Sequence, residues 1–145
     1  MAIEKKTYAG GDRYEGELLN GKPNGRGTAY YGNGDHFEGE FRNGVRIRGT
    51  YYFGWGDRGG DRYEGEFLDG KPSKGTYHYA GSSGRRYEGE FRDYKYNGQG
   101  TFYYGDGDRY EGEFRDGEPN GRGTFYSANG DKIAGIWRNG QRVDG

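Results

Sequence analysis

The chain has no cysteine, three prolines, one methionine and few aliphatic residues. Without cysteine there are no disulfides and no cysteine-based metal sites, and the redox compartment stays open. Leu, Ile, Val and Phe together number 17 of 145 residues, a level typical of disordered chains. No stretch approaches the length of a membrane span. The N-terminal MAIEKKTYAGGDR lacks the apolar run of a secretory signal, so a soluble, cytoplasmic protein is the expectation. An excess of one charge is also missing. The chain carries 22 Lys and Arg against 23 Asp and Glu, and its longest basic runs are Lys5-Lys6 and Arg85-Arg86. Nucleic-acid binding and general attachment to anionic lipid both need surplus cations, so neither is expected.

What the chain does have is 33 glycines, 16 tyrosines and 8 phenylalanines. The aromatics recur at fixed spacing, which a flexible linker has no reason to show. Aligned on the phrase YEGE, equivalent positions are Tyr14, Phe37, Tyr63, Tyr87, Tyr110 and Ile133, at spacings of 23, 26, 24, 23 and 23. Such a period marks an array of small units stabilised by their neighbours. Five units (14–36, 37–62, 63–86, 87–109, 110–132) follow a partial one (1–13) and precede a C-terminal half unit (133–145), in one continuous domain.

Each unit contains two strand signals and no helical period. The first is YEGEF, which puts Tyr110, Gly112 and Phe114 on one face and Glu111 and Glu113 on the other. The second is a Gly-Thr-aromatic run beginning at Gly27, Gly49, Gly75, Gly100 and Gly123. Tight turns are expected between units at Asn33-Gly34, Gly59-Gly60, Ser83-Gly84, Asp106-Gly107 and Asn129-Gly130, with longer loops such as NGKPNGRG (20–27) inside them. The expected fold is all-β: an elongated, twisted, single-layer antiparallel meander of about twelve strands. Glycine opposite tyrosine lets the ring lie over the backbone and lets the sheet bend.

The pattern YxGxxxxGxxxGxGxxxxxxG, present from Tyr14 and again from Tyr110, resembles the MORN repeat (membrane occupation and recognition nexus) and covers almost the whole chain. The resemblance implies an elongated sheet with a long groove and a non-catalytic role in recognition or scaffolding. In that family the partners are proteins and, less securely, acidic phospholipids. The leading expectation is a protein or peptide segment held along an aromatic groove. The alternatives are phosphoinositide recognition and an engineered or consensus-like scaffold without an evolved ligand.

No catalytic, cofactor or metal residue is expected. Paired glutamates two apart on a strand overlap the carboxylate separations of glycosidases. Here, however, the pair recurs at Glu15/Glu17, Glu38/Glu40, Glu64/Glu66, Glu88/Glu90 and Glu111/Glu113, whereas catalysis needs one special environment. The pairs read as a solvated ladder with Arg13, Arg62, Arg86 and Arg109 as counter-charges. GWGDRG (54–59) precedes a strand rather than a helix, which excludes a dinucleotide loop. His36 and His78 occupy repeat positions held elsewhere by Arg and Tyr.

The aromatic face offered to a partner comprises Tyr14, Phe37, Phe41, Tyr51, Tyr63, Phe67, Tyr77, Tyr87, Phe91, Phe102, Tyr110, Phe114 and Phe125. Selectivity is expected where the pattern breaks: Val45 and Ile47 in VRIRG, Trp55 in an insertion, and Tyr94 and Tyr96 in a loop DYKYNGQG. IAGIW (133–137) replaces the tyrosine and both glutamates with Ile133, Ala134 and Ile136 and adds Trp137. That edge is expected to be a cap or a homodimer contact.

Overall fold

Asn or Asp followed by Gly tolerates the left-handed backbone that a two-residue hairpin needs at both central positions. In the computed structural model, which describes residues 3–81 and 84–144, such pairs close the hairpins at Asn20-Gly21, Asn43-Gly44, Asp69-Gly70, Asp116-Gly117 and Asn139-Gly140. A further turn is Asp93-Tyr94, where a tyrosine takes the glycine position at φ 66°.

The strands are β1 (Ile3–Thr7), β2 (Arg13–Leu19), β3 (Lys22–Tyr30), β4 (His36–Arg42), β5 (Val45–Tyr52), β6 (Arg62–Leu68) and β7 (Lys71–His78). They continue as β8 (Arg86–Arg92), β9 (Lys95–Tyr103), β10 (Arg109–Arg115), β11 (Glu118–Tyr126), β12 (Lys132–Arg138) and the two-residue β13 (Gln141–Arg142). Their order in the sheet is their order in the chain, so the 13-stranded sheet is a simple antiparallel meander. A single 3₁₀ turn at Ala9–Gly11 is the sole helical element among the described residues. The accessible surface is 8896 Å². A compact globule of this mass would expose about 7,500 Å², so the molecule is extended.

The turn positions differ from expectation. Asn33-Gly34, Gly59-Gly60, Asp106-Gly107 and Asn129-Gly130 lie in the longer connections between units, while the two-residue turns lie within them. Backbone bonds such as Tyr31 N–H to Asp35 O (2.9 Å) and Phe53 N–H to Asp61 O (3.0 Å) close the longer connections. Ser83 of the expected Ser83-Gly84 turn lies outside the described residues. NGKPNGRG is a tight turn running straight into β3. A bulge makes this possible: Gly16 pairs with Gly27 and Leu18 with Pro23, leaving residues 24–26 opposite Glu17. For the same reason Val45 and Ile47 lie in β5 and Tyr96 in β9, not in loops.

Candidate functional site

Every unit is organised by one ring lying over a pair of glycines. Gly16 pairs with Gly27, Gly39 with Gly49, Gly65 with Gly75, Gly89 with Gly100, and Gly112 with Gly123. The rings over them are Tyr14, Phe37, Tyr63, Tyr87 and Tyr110, none more than 2 % exposed. The Tyr63 and Tyr87 hydroxyls donate to the carbonyls of Glu66 and Glu90, both at 2.7 Å. Burial pushes the pKa of the Tyr63 and Tyr110 hydroxyls up to about 12.

Phe41, Phe67, Phe91 and Phe114 wedge edge-on between successive rings at centroid distances of 5.0–5.3 Å, and Trp137 ends the series against Tyr110. This zigzag is the core of a one-layer protein, each contact contributing about 0.5–1.5 kcal/mol beyond its area. The face predicted to meet a partner is therefore largely turned on itself. Phe37, Tyr63, Tyr87, Tyr14, Tyr110, Phe41, Phe67, Tyr77, Phe102 and Phe114 are buried, while Tyr51, Phe91 and Phe125 keep partial exposure.

The accessible aromatic stripe lies one step further out, at Tyr31, Phe53, Tyr79 and Tyr104. Sequence reasoning missed it, although these residues follow Ala29, Tyr51, Tyr77 and Phe102 by two and so share their face. Aspartates just before the first strand of each unit tie the connections together. Asp12 accepts from Gly32 N–H (2.7 Å) and Asp108 from Ala128 N–H (2.8 Å). Asp35 accepts from Gly54 N–H and Tyr51 hydroxyl, and Asp61 from Ala80 N–H and Tyr77 hydroxyl. Arg85 breaks this series, and its guanidinium lies 4.7 Å over the Tyr79 ring and 5.6 Å from Phe102. Phe102 lacks the hydroxyl that Tyr51 and Tyr77 present to their aspartates.

The breaks in the pattern converge near that position. Tyr96 takes the place of Pro23, Pro72 and Pro119, stacks on Tyr87 at 3.9 Å and shares a hydroxyl–hydroxyl bond with Tyr79. Desolvation and the Tyr79 bond push its hydroxyl pKa far up. Tyr94, 55 % exposed, stands at the adjacent turn. The connection 53–61, lengthened by the FGWGDRGG insertion, brings Arg58 from the other side. Between them lies a cavity of about 430 Å³ bounded by Arg58, Tyr77, Tyr79, Phe91, Tyr94 and Tyr96. Trp55 points elsewhere: its ring lies on the Gly34 backbone and is 74 % exposed. Val45 is exposed at the hairpin end and Ile47 is partly buried.

The repeat geometry agrees with a comparison to known families. The MORN repeat matches residues 14–36, 37–46, 63–83, 87–109 and 110–132. The chain belongs to the MORN-repeat family. No curated protein matches it. It is a repeat scaffold, and among the described residues no helix is long and apolar enough to cross a membrane.

Within the MORN unit the two glutamates differ in role. The first lies on the charged face beside the preceding arginine: Arg62 with Glu64 (3.5 Å), Arg86 with Glu88 (3.8 Å) and Arg109 with Glu111 (3.0 Å). Arg13 stacks on Tyr30, as Arg86 and Arg109 also do on Tyr103 and Tyr126, but Glu15 pairs with Lys5. The second glutamate holds the bulge where the unit has its full length. Glu17 accepts from Arg26 N–H (2.7 Å), Glu90 from Gln99 N–H (2.6 Å) and Glu113 from Arg122 N–H. Units 2 and 3 are one residue shorter there, so Glu40 is released to pair with Arg26 and Arg48. His78 joins Glu64 at 2.8 Å and His36 stacks on Tyr52 at 4.4 Å. Among the described residues no three His, Cys, Asp or Glu converge as metal ligands would.

At the C-terminal end of the MORN array, Trp137 turns inward and donates its indole N–H to Gly123 O at 3.1 Å. Arg142 and Asp144 lie over Gly135, and Val143 N–H bonds Ile136 O. Ile133 and Ile136 remain 43 % and 38 % exposed.

Proposed function

We propose that this MORN array is a non-catalytic scaffold that holds a protein or peptide segment on its aromatic face, centred on the cavity between Arg58 and Tyr94. The observation that carries the reading is the coincidence of two departures from the repeat at the cavity, the lengthened 53–61 connection and the Asp93-Tyr94 turn, with a third, Arg85 in place of aspartate, behind its Tyr79 wall. A tyrosine at φ 66° is strained by about 1–2 kcal/mol, and strain of this kind gathers at ligand sites. Partly exposed Tyr79, Tyr94 and Tyr96 beside Arg58 make the side-chain set typical of interface anchors. The buried Tyr14 series then acts as support and the flanking stripe as contact.

The test is selection of a random peptide library on the full chain, followed by affinity measurement on Tyr94→Ala and Tyr79→Ala. A shared motif whose binding falls at least tenfold in both variants is the expected result. No enriched motif, or affinity unchanged by either substitution, would overturn the reading.

A further inference from the structure

The opposite, charged face has a feature that folding does not explain. At the hairpin ends, residues paired across each tight turn form an oblique row: Leu19 with Lys22, Arg42 with Val45, and Leu68 with Lys71, each hairpin stepped one or two residues along the strands from the one before. Alternation puts them on the face away from Phe41 and Phe67, and all six are exposed. Leu68 is 69 % exposed, Leu19 47 % and Val45 41 %. Among the described residues Lys22 and Arg42 have no carboxylate within 4.0 Å, and Lys71 has only Asp93 at 3.9 Å. One row inward the cations are engaged, as Arg26 and Arg48 share Glu40. Asp69 is the sole acid in these three turns. Further along, the aliphatic side chains disappear from the row, which continues as Arg92 with Lys95 and Arg115 with Glu118.

We propose that this row, from β2 to β7, docks one acidic amphipathic helix of a protein partner, a surface separate from the aromatic face. The spacing selects a helix. Residues paired across a turn lie about 4.8 Å apart, close to the three-residue step of one helical face. The stagger lengthens the steps from Lys22 to Arg42 and from Val45 to Leu68, where the helix takes its longer four-residue step, so the oblique row spans about 26 Å. Helix positions 1, 4, 8, 11, 15 and 18 lie on one stripe and span about 25 Å. Set against the row, they call for apolar residues at 1, 11 and 15, opposite Leu19, Val45 and Leu68. They call for acids at 4, 8 and 18, opposite Lys22, Arg42 and Lys71. An extended segment crossing the strands advances about 3.3 Å per residue and falls out of step with them. A planar anionic membrane meeting this face would also meet Glu15, Glu38 and Glu64, whereas a helix covers the row alone.

The probe is a synthetic 21-residue helix with Leu at 1, 11 and 15 and Glu at 4, 8 and 18, titrated against the full chain by fluorescence anisotropy. Expected are saturable binding and at least tenfold weakening by Leu68→Ser and by the double change Lys22→Glu with Arg42→Glu. A probe carrying Lys at 4 and 8 should recover affinity for the double variant. Co-sedimentation with phosphatidylcholine vesicles containing phosphatidylserine runs in parallel. No binding of the probe, binding indifferent to the substitutions, or vesicle binding lost in those variants without probe binding would each overturn the proposal.

Discussion

Gly100 gives the sharpest test of how the sheet is held together. Its backbone lies outside the left-handed region, so alanine meets no conformational objection there. The obstacle is Tyr87. A methyl on Gly100 would sit 2.6 Å from the Tyr87 ring atoms Cε1 and Cζ, about 0.8 Å inside ordinary contact. The ring cannot yield, being 0 % exposed, stacked on Tyr96 at 3.9 Å and wedged between Phe91 and Phe114. Overpacking costs about 1–3 kcal/mol, and complete expulsion of the ring sets a ceiling of about 3–5 kcal/mol. Gly100→Ala should therefore destabilise by about 3 kcal/mol, a fall of roughly 1–2 M in the urea midpoint. In a Tyr87→Ala background the same change should cost almost nothing. Gly117→Ala is the control: open space surrounds it, but at φ 92° it should cost about 1 kcal/mol in either background. Urea denaturation followed by far-UV circular dichroism reads all these combinations. Additivity of Gly100→Ala and Tyr87→Ala within about 0.5 kcal/mol would refute the ring-over-glycine account.

Glu113→Ala should cost about 1 kcal/mol because it leaves the Arg122 N–H to water, whereas Glu66→Ala, which loses no such bond, should stay within about 0.5 kcal/mol; thermal melts compare them. Tyr94→Gly should raise stability by about 1 kcal/mol by relieving its backbone, and a lower urea midpoint would contradict the assigned strain. Tyr63 and Tyr110 hold their protons to about 12 when folded, while the unfolded chain releases them near 10. Their contribution is thus complete below pH 10 and falls by about 1.4 kcal/mol per unit per tyrosine between 10 and 12. In Tyr63→Phe the fall of the urea midpoint across that range should shrink by one tyrosine's share, the other buried tyrosines keeping the rest.

The meander was legible because period and parity are properties of the chain alone. Tyr14 to Tyr110 mark the unit, and alternation assigns Glu111 and Phe114 to opposite faces. The turns were not legible in the same way, since Asn20-Gly21 and Asn33-Gly34 carry the same local chemistry. Pro23, Gly25 and Gly27 also make a strand read as a loop, until Glu17 is seen to hold the bulge. For the candidate site, the aromatic face could be read from alternation but its depth could not. Burial of Tyr63 depends on Phe67 and Phe91, one of them from the next unit, and no spacing within one unit reveals that. Arg85 became informative only beside Tyr79 and the aspartates it interrupts.

Strict chain-order pairing also makes the sheet a ruler. Each unit adds two strands, an advance of about 10 Å. Because neighbouring units supply one another's packing, a whole unit could be inserted or deleted by rejoining like to like. The distance between sites at the two ends would then change in fixed steps, set by copy number alone. A surface carried on Leu19 and another on Tyr94 are thereby held at a separation, and a rotation, that the count of intervening hairpins decides.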